Sequence, residues 1–211
     1  MTETTPNPTS PPAALACSLA GGLVLGVLTN LAQGWLPGAW NQIANSGAVW
    51  AAFAFAAGAA LAGRCRYPTI AAAGACVEIG LVAGYYGYAV LARHDDVDSL
   101  LGWPLIWTAF ALVAGPLFAV AAAWWRRGRT VWHRSAGLGA LGGVFGAESI
   151  HYAVVLHYPA QAWACAAIAI AVPLLAVRGE RARTLAVVGV LALLAYGAVF
   201  VSLDAVSTGP H

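Results

Sequence analysis

Apolar residues fall in seven blocks separated by short polar punctuation, at roughly 13–32, 46–63, 69–92, 102–125, 136–157, 161–177 and 184–203. A helix needs about 20 residues to cross a hydrocarbon core of about 30 Å, and the blocks approach or exceed that length. The pattern predicts an all-α membrane protein of seven transmembrane helices. Ahead of the first block, residues 1–12 form a polar, proline-rich stretch with no positive region. It reads as a disordered cytoplasmic tail rather than a signal peptide. The transmembrane domain is expected over 13–204, with a short outer tail at 205–211.

Orientation follows from the arginines, which gather on the cytoplasmic side of membrane helices. Arg64 and Arg66 follow the second block, Arg126, Arg127, Arg129 and Arg134 follow the fourth, and Arg178, Arg181 and Arg183 follow the sixth. Arg93 alone breaks the pattern. The N-terminus is therefore expected inside and the C-terminus outside, in a bacterial plasma membrane.

The even-numbered blocks resemble one another. WAAFAFAAG at 50–58, WTAFALVAGP at 107–116 and WACAAIAIAVP at 163–173 each set a tryptophan one to two turns ahead of small residues. Trp50 to Gly58 and Trp107 to Gly115 are spaced identically. Three repeated helical hairpins closed by a seventh helix would produce this pattern. So would tryptophans and arginines marking the two interfaces of any membrane hairpin.

Composition agrees with the membrane class. Of 211 residues, 61% are hydrophobic and 9% charged, and the mean hydropathy is +0.75. Soluble domains carry about 25% charged residues. A net charge of +2 is too small to suggest a nucleic-acid partner. All ten basic residues are arginine, so no lysine can form a retinal or pyridoxal Schiff base. The four cysteines, Cys17, Cys65, Cys76 and Cys165, lack metal-ligand spacing and read as reduced packing residues.

Against this background, ionisable residues inside apolar blocks stand out, because they are costly in hydrocarbon. Glu148, His151 and Tyr152 are three and four residues apart and share one helix face. Desolvation favours the neutral acid, which makes Glu148 a proton donor in an apolar pocket. Its bland alternative is a hydrogen bond that ties helices together. Glu78 is the second internal acid, with Tyr85 nearly two turns above it on the same face. Trp50, Trp107 and Trp163, with Tyr86 and Phe110, are candidates for an aromatic wall that stabilises a cation. Asn41, Gln42 and Asn45 in the first outer connection read as a short interfacial segment over the bundle mouth. His157 is expected on the helix face opposite Glu148, ahead of a tight turn at 158–161, and Asp204 as an exposed terminal carboxylate. His94, Asp95, Asp96 and Asp98 have carboxylates close enough to hold a divalent cation against phosphates, but a solvated turn explains them equally simply. Neither a metal nor a cofactor is expected.

The run GVLTNLAQGWLP at 26–37, followed by NSGAVW at 45–50, resembles an actinobacterial family of small multi-span proteins with no assigned activity. That likeness extends over most of the chain. In plan alone, seven spans with two internal acids and many aromatics, the chain is similar to the integral-membrane terpene cyclases. This second likeness implies proton-initiated cyclisation of a prenyl substrate. Glu148 would be the acid, tuned by His151, and Glu78 would accept the final proton. Tyr152, Tyr85 and the tryptophans would face the cation. The expected partners are a lipophilic small molecule and membrane lipid. Two other readings stand beside it, a proton-coupled small-solute carrier gated by the outer amides, and a membrane subunit whose acids only lock helix packing.

Overall fold

The structure, a computed structural model, describes residues 10–93 and 102–201, the last three by backbone alone. The expected N-terminal tail up to residue 9, the His94, Asp95, Asp96 and Asp98 cluster, and Asp204 with the outer tail lie outside the described residues. Each of the seven apolar blocks forms a helix. The helices are α1 (Pro11–Trp35), α2 (Trp40–Ala44), α3 (Gly47–Leu61), α4 (Tyr67–Arg93), α5 (Trp103–Arg127), α6 (Val131–Val154), α7 (Pro159–Ala171) and α8 (Arg181–Ala195). The short α2 lies in the connection between the first two blocks.

Local chemistry sets several boundaries. The Ser46 hydroxyl caps α3 by accepting from Val49 N, and Thr130 caps α6 by accepting from His133 N, each at 3.2 Å. Prolines open α1 and α7, where a missing N–H costs nothing. Pro173 follows the end of α7, and the chain tightens there into a 3-10 turn at Val172–Leu175. A second such turn, Arg178–Glu180, leads into α8, which continues as a π-helical stretch at Tyr196–Val201.

Among the described residues, five stretches are long and apolar enough to cross a membrane: Pro11–Trp35, Trp40–Leu61, Tyr67–Arg93, Trp103–Arg127 and Arg178–Ala198. Two of the seven expected spans fall short. Helix α6 has the length but carries Arg134, Glu148 and two histidines, and α7 with its 3-10 turn covers only Pro159–Leu175.

The chain divides into two compact units, Met1–Arg127 and Gly128–His211. In the first, α1 lies along α4 with glycines on both sides of the contact. Gly22 and Gly26 face the carbonyls of Val77 and Leu81, while Gly80 and Gly84 face those of Leu19 and Leu23. Both pairs are spaced by four residues, the arrangement that lets two helix backbones touch. Gly74 of α4 and Gly115 of α5 meet reciprocally, and Gly58 of α3 sits on Ala119 of α5. In the second unit, Gly139, Gly142, Gly143 and Gly146 of α6 receive Val187, Val188, Leu191 and Ala192 of α8.

This packing does not pair the first two blocks as a hairpin. α1 packs mainly on α4, and α3 packs on α5 and α4. The close contacts also yield a direct prediction. A methyl group at Gly84 would strike the Leu23 carbonyl, whereas one at Gly87 meets nothing within 4 Å. Gly84→Ala should therefore destabilise the purified protein by about 1–3 kcal/mol. Gly87→Ala should be neutral or stabilising by up to about 1 kcal/mol. Thermal unfolding in detergent measures both.

Candidate functional site

Two groups of buried polar residues stand out, one in each unit. In the first unit, Glu78 is 3% exposed and its Oε1 atom has no hydrogen-bond partner. It shares its α4 face with Leu81, Val82 and Tyr85, at the i+3, i+4 and i+7 positions. Val77, Leu81 and Val82 form a buried cluster with Trp50 and Ala111, against which Phe53, Tyr85, Tyr86 and Trp107 pack. The rings make a connected series. Trp50 meets Tyr85 edge-on at 5.9 Å and Trp107 at 6.3 Å; Tyr85 meets Tyr86 at 5.1 Å, and Trp107 meets Phe110 at 5.9 Å. Five of the expected wall residues are thus brought together from α3, α4 and α5, and two of them, Tyr85 and Tyr86, share α4 with Glu78.

Above this series the first unit becomes polar. The Tyr85 hydroxyl donates to Gln33 Oε1. Asn30, 2% exposed, donates through Nδ2 to the Tyr85 carbonyl at 3.1 Å. Arg93 donates to the Asn30 carbonyl at 2.9 Å, passing Gly34, where a side chain would obstruct the guanidinium. The arginine that breaks the charge pattern therefore has a structural anchor. Asn41 and Asn45 are half-buried in α2 and at its C-terminal cap.

In the second unit, Glu148 is 4% exposed, Tyr152 is buried and His151 is half-buried. The His151 and Tyr152 rings lie 6.3 Å apart. Glu148, Tyr152 and Cys165 of α7 are within electrostatic reach of one another. Gln161, one turn before Cys165, is also buried. The Ser149 hydroxyl joins the two helices by donating to the Ala162 carbonyl at 2.8 Å. On the neighbouring face, Ser149, Ala153, His157, Pro159, Ala162, Trp163 and Ala166 line an open groove of about 420 Å³. Trp163 is 76% exposed beside it.

Two expectations about this region need correction. α6 ends at Val154, so His157 is not on its opposite face. It occupies the connecting turn with a left-handed φ of 58°, its ring Nδ1 3.1 Å from the Val155 carbonyl. Nor is 158–161 a turn. Pro159 starts α7 and places Gln161 inside it. Proline at a first helical position was the available signal. Asn30 was also missed as a site residue. It extends the α1 stripe of Gly22 and Gly26 by one further step of four, on the face turned towards α4.

The arginine-rich end of each unit is closely tied. In the first, Arg127 donates to the Cys65 carbonyl at 3.0 Å and lies over the Tyr67 ring at 4.0 Å. In the second, Arg134 grips Glu180 with two nitrogens, one of them at 3.2 Å, and donates to the Gly128 carbonyl at 3.0 Å. Beside that pair, the buried Thr184 hydroxyl donates to Ser135 at 3.3 Å, and Arg183 covers Trp132 at 5.0 Å.

Among the described residues, the fold and these sites define a helical protein with five stretches able to cross a membrane and with an acid buried inside a long helix of each unit, Glu78 in α4 and Glu148 in α6. Residues 5–205 match a family described as a family of unknown function (DUF6518), and the chain belongs to it. No curated protein and no solved structure matches.

The Arg134–Glu180 pair should matter more than a typical surface ion pair, because Glu180 is buried and its partner grips it twice. Arg134→Met should lower the melting temperature by removing both bonds to that carboxylate. The same change at exposed Arg129 should stay within about 0.5 kcal/mol.

Proposed function

We propose that the protein is an integral-membrane enzyme that binds a prenyl-type chain and cyclises it by proton-initiated carbocation chemistry. The single observation that supports this most is the Trp50, Tyr85, Tyr86, Trp107 and Phe110 series in the unit of Glu78, joined to its helix through Tyr85 and Tyr86. Five membrane-length apolar stretches favour insertion in the bacterial plasma membrane. The arginine-rich end of each unit then faces the cytoplasm.

In this reading Glu78, as the neutral acid, transfers its proton to one carbon of a prenyl double bond. The other carbon becomes a tertiary cation. Ring faces of Trp50, Tyr85 and Trp107 stabilise that cation, by about 2 kcal/mol or more per desolvated contact. Attack by a second double bond of the chain closes the ring and moves the cation. Loss of a proton from a neighbouring carbon to the Glu78 carboxylate ends the reaction and restores the acid. The sum is an isomerisation and needs no co-reactant. Water exclusion by the apolar cluster protects the cation from hydration.

The proton is assigned to Glu78 rather than to Glu148 because the acid and the aromatic series belong to one unit, and Tyr85 and Tyr86 of that series stand on the helix of Glu78. Glu148, with His151, Tyr152 and Cys165, is a separate proton site of the second unit. Its chemistry suits hydrogen-bonding to a ligand as well as proton exchange. The carrier reading draws on another feature, the succession of Asn30, Gln33, Tyr85 and Arg93 beyond Glu78. Such a succession would give a proton or small solute access to the acid from the arginine-poor end.

Geranyl, farnesyl and geranylgeranyl compounds incubated with the protein in liposomes test the enzyme reading by product analysis. Glu78→Gln should lower cyclic product formation by about 100-fold or more. Full turnover by a folded Glu78→Gln variant contradicts the role of Glu78. Solute uptake without product, abolished by the same substitution, replaces the enzyme with the carrier.

A further inference from the structure

Three further atoms of the first unit resemble Glu78 Oε1 in being buried without a hydrogen-bond partner: Arg127 Nε at the arginine-rich end, and Asn30 Oδ1 and Trp50 Nε1 close to Tyr85. Asn30 and Trp50 are 2% and 7% exposed. The amide orientation of Asn30 follows from its neighbour. The Tyr85 carbonyl can only accept, so Nδ2 must face it and Oδ1 must face elsewhere. An indole N–H can only donate. Both residues adjoin Tyr85, Asn30 through that hydrogen bond and Trp50 through an edge contact at 5.9 Å. An acceptor from α1 and a donor from α3, each costing about 1–3 kcal/mol if left bare, therefore adjoin one residue of α4, the first at its backbone carbonyl and the second at its ring.

We infer that the space flanked by Asn30, Trp50 and Tyr85 binds the uncharged hydroxyl end of a lipophilic chain. A hydroxyl accepts from Trp50 Nε1 and donates to Asn30 Oδ1, satisfying both with one group. A diphosphate would supply acceptors only and leave Asn30 Oδ1 bare. It would also demand several cations, and the arginine at this end, Arg93, is engaged on the Asn30 carbonyl. Tyr85 stands seven residues beyond Glu78, a rise of about 10 Å. A chain whose hydroxyl is held beside Tyr85 runs past the aromatic series towards the carboxyl. The inference deepens the enzyme reading and rests on it for the orientation of the chain, but it concerns binding alone.

Farnesol, farnesene and farnesyl diphosphate, titrated separately into the purified full-length protein in nanodiscs, provide the test. Farnesol should bind at least about tenfold more tightly than farnesene, the value of one good hydrogen bond, and more tightly than the diphosphate. Trp50→Phe keeps an aromatic ring and Asn30→Leu keeps the volume. Each should lower the ratio of farnesol to farnesene affinity by about tenfold. The melting temperature of each variant identifies any that does not fold, and either variant alone suffices for the comparison. Equal binding of farnesol and farnesene, no measurable farnesol binding, or preference for the diphosphate overturns the inference. Preference for farnesol with no turnover leaves it standing and removes only the enzyme reading. Turnover without that preference does the reverse.

Discussion

Backbone-to-backbone contact between glycine-bearing helices is the constraint on which the rest of each unit depends. Where lipid surrounds a helix, apolar side chains gain nothing by leaving it for another helix, so association must come from close packing and from polar bonds. α1 and α4 supply the most extended example, with Gly22 and Gly26 set against Gly80 and Gly84. This contact brings Asn30 to Tyr85 and Gln33 to the Tyr85 hydroxyl. α6 and α8 use a different version, in which the glycines of one helix receive the branched side chains of the other.

Close packing also decides what a polar side chain must do. Once α1, α3 and α4 converge, Asn30, Trp50 and Glu78 are out of reach of water, and each retains an atom without a partner. In most structures such atoms are paired, so these mark places where something other than packing is being served. The aromatic residues supply the complement, a wall of ring faces and edges that tolerates both hydrocarbon and positive charge. Acid, aromatics and unpaired donor together suit a ligand that is mostly apolar with one polar end. The second unit shows the same economy with other residues, where Glu148, Tyr152, Gln161 and Cys165 share a buried region beside an open groove.

The helices were legible in the chain because length and apolarity are properties of a block and survive errors of a few residues. The Tyr158–Pro159 junction was misread because its polar residues look like a turn, although Pro159 begins a helix and Gln161 is carried into the interior. Partner choice was the harder matter. Trp50, Trp107 and Trp163 match in sequence, yet packing follows the glycines: α1 chooses α4, and Trp163 stands exposed on its own unit. Glu78 and Glu148 could be singled out from cost alone, since a carboxyl in an apolar block is rare. Asn30 escaped notice because a single amide near a helix end is unremarkable until its stripe is followed from Gly22.

The central claim is that a lipophilic chain lies against the aromatic series of the first unit, within reach of Glu78. Photo-crosslinking with a diazirine-bearing prenyl alcohol, followed by mass spectrometry of the labelled peptides, tests it most directly. The account predicts adducts on α3 around Trp50 and on α4 between Glu78 and Tyr86, displaced by excess unlabelled alcohol. Adducts confined to exposed positions such as Leu91, Leu112 and Val113, undiminished by competitor, would contradict it.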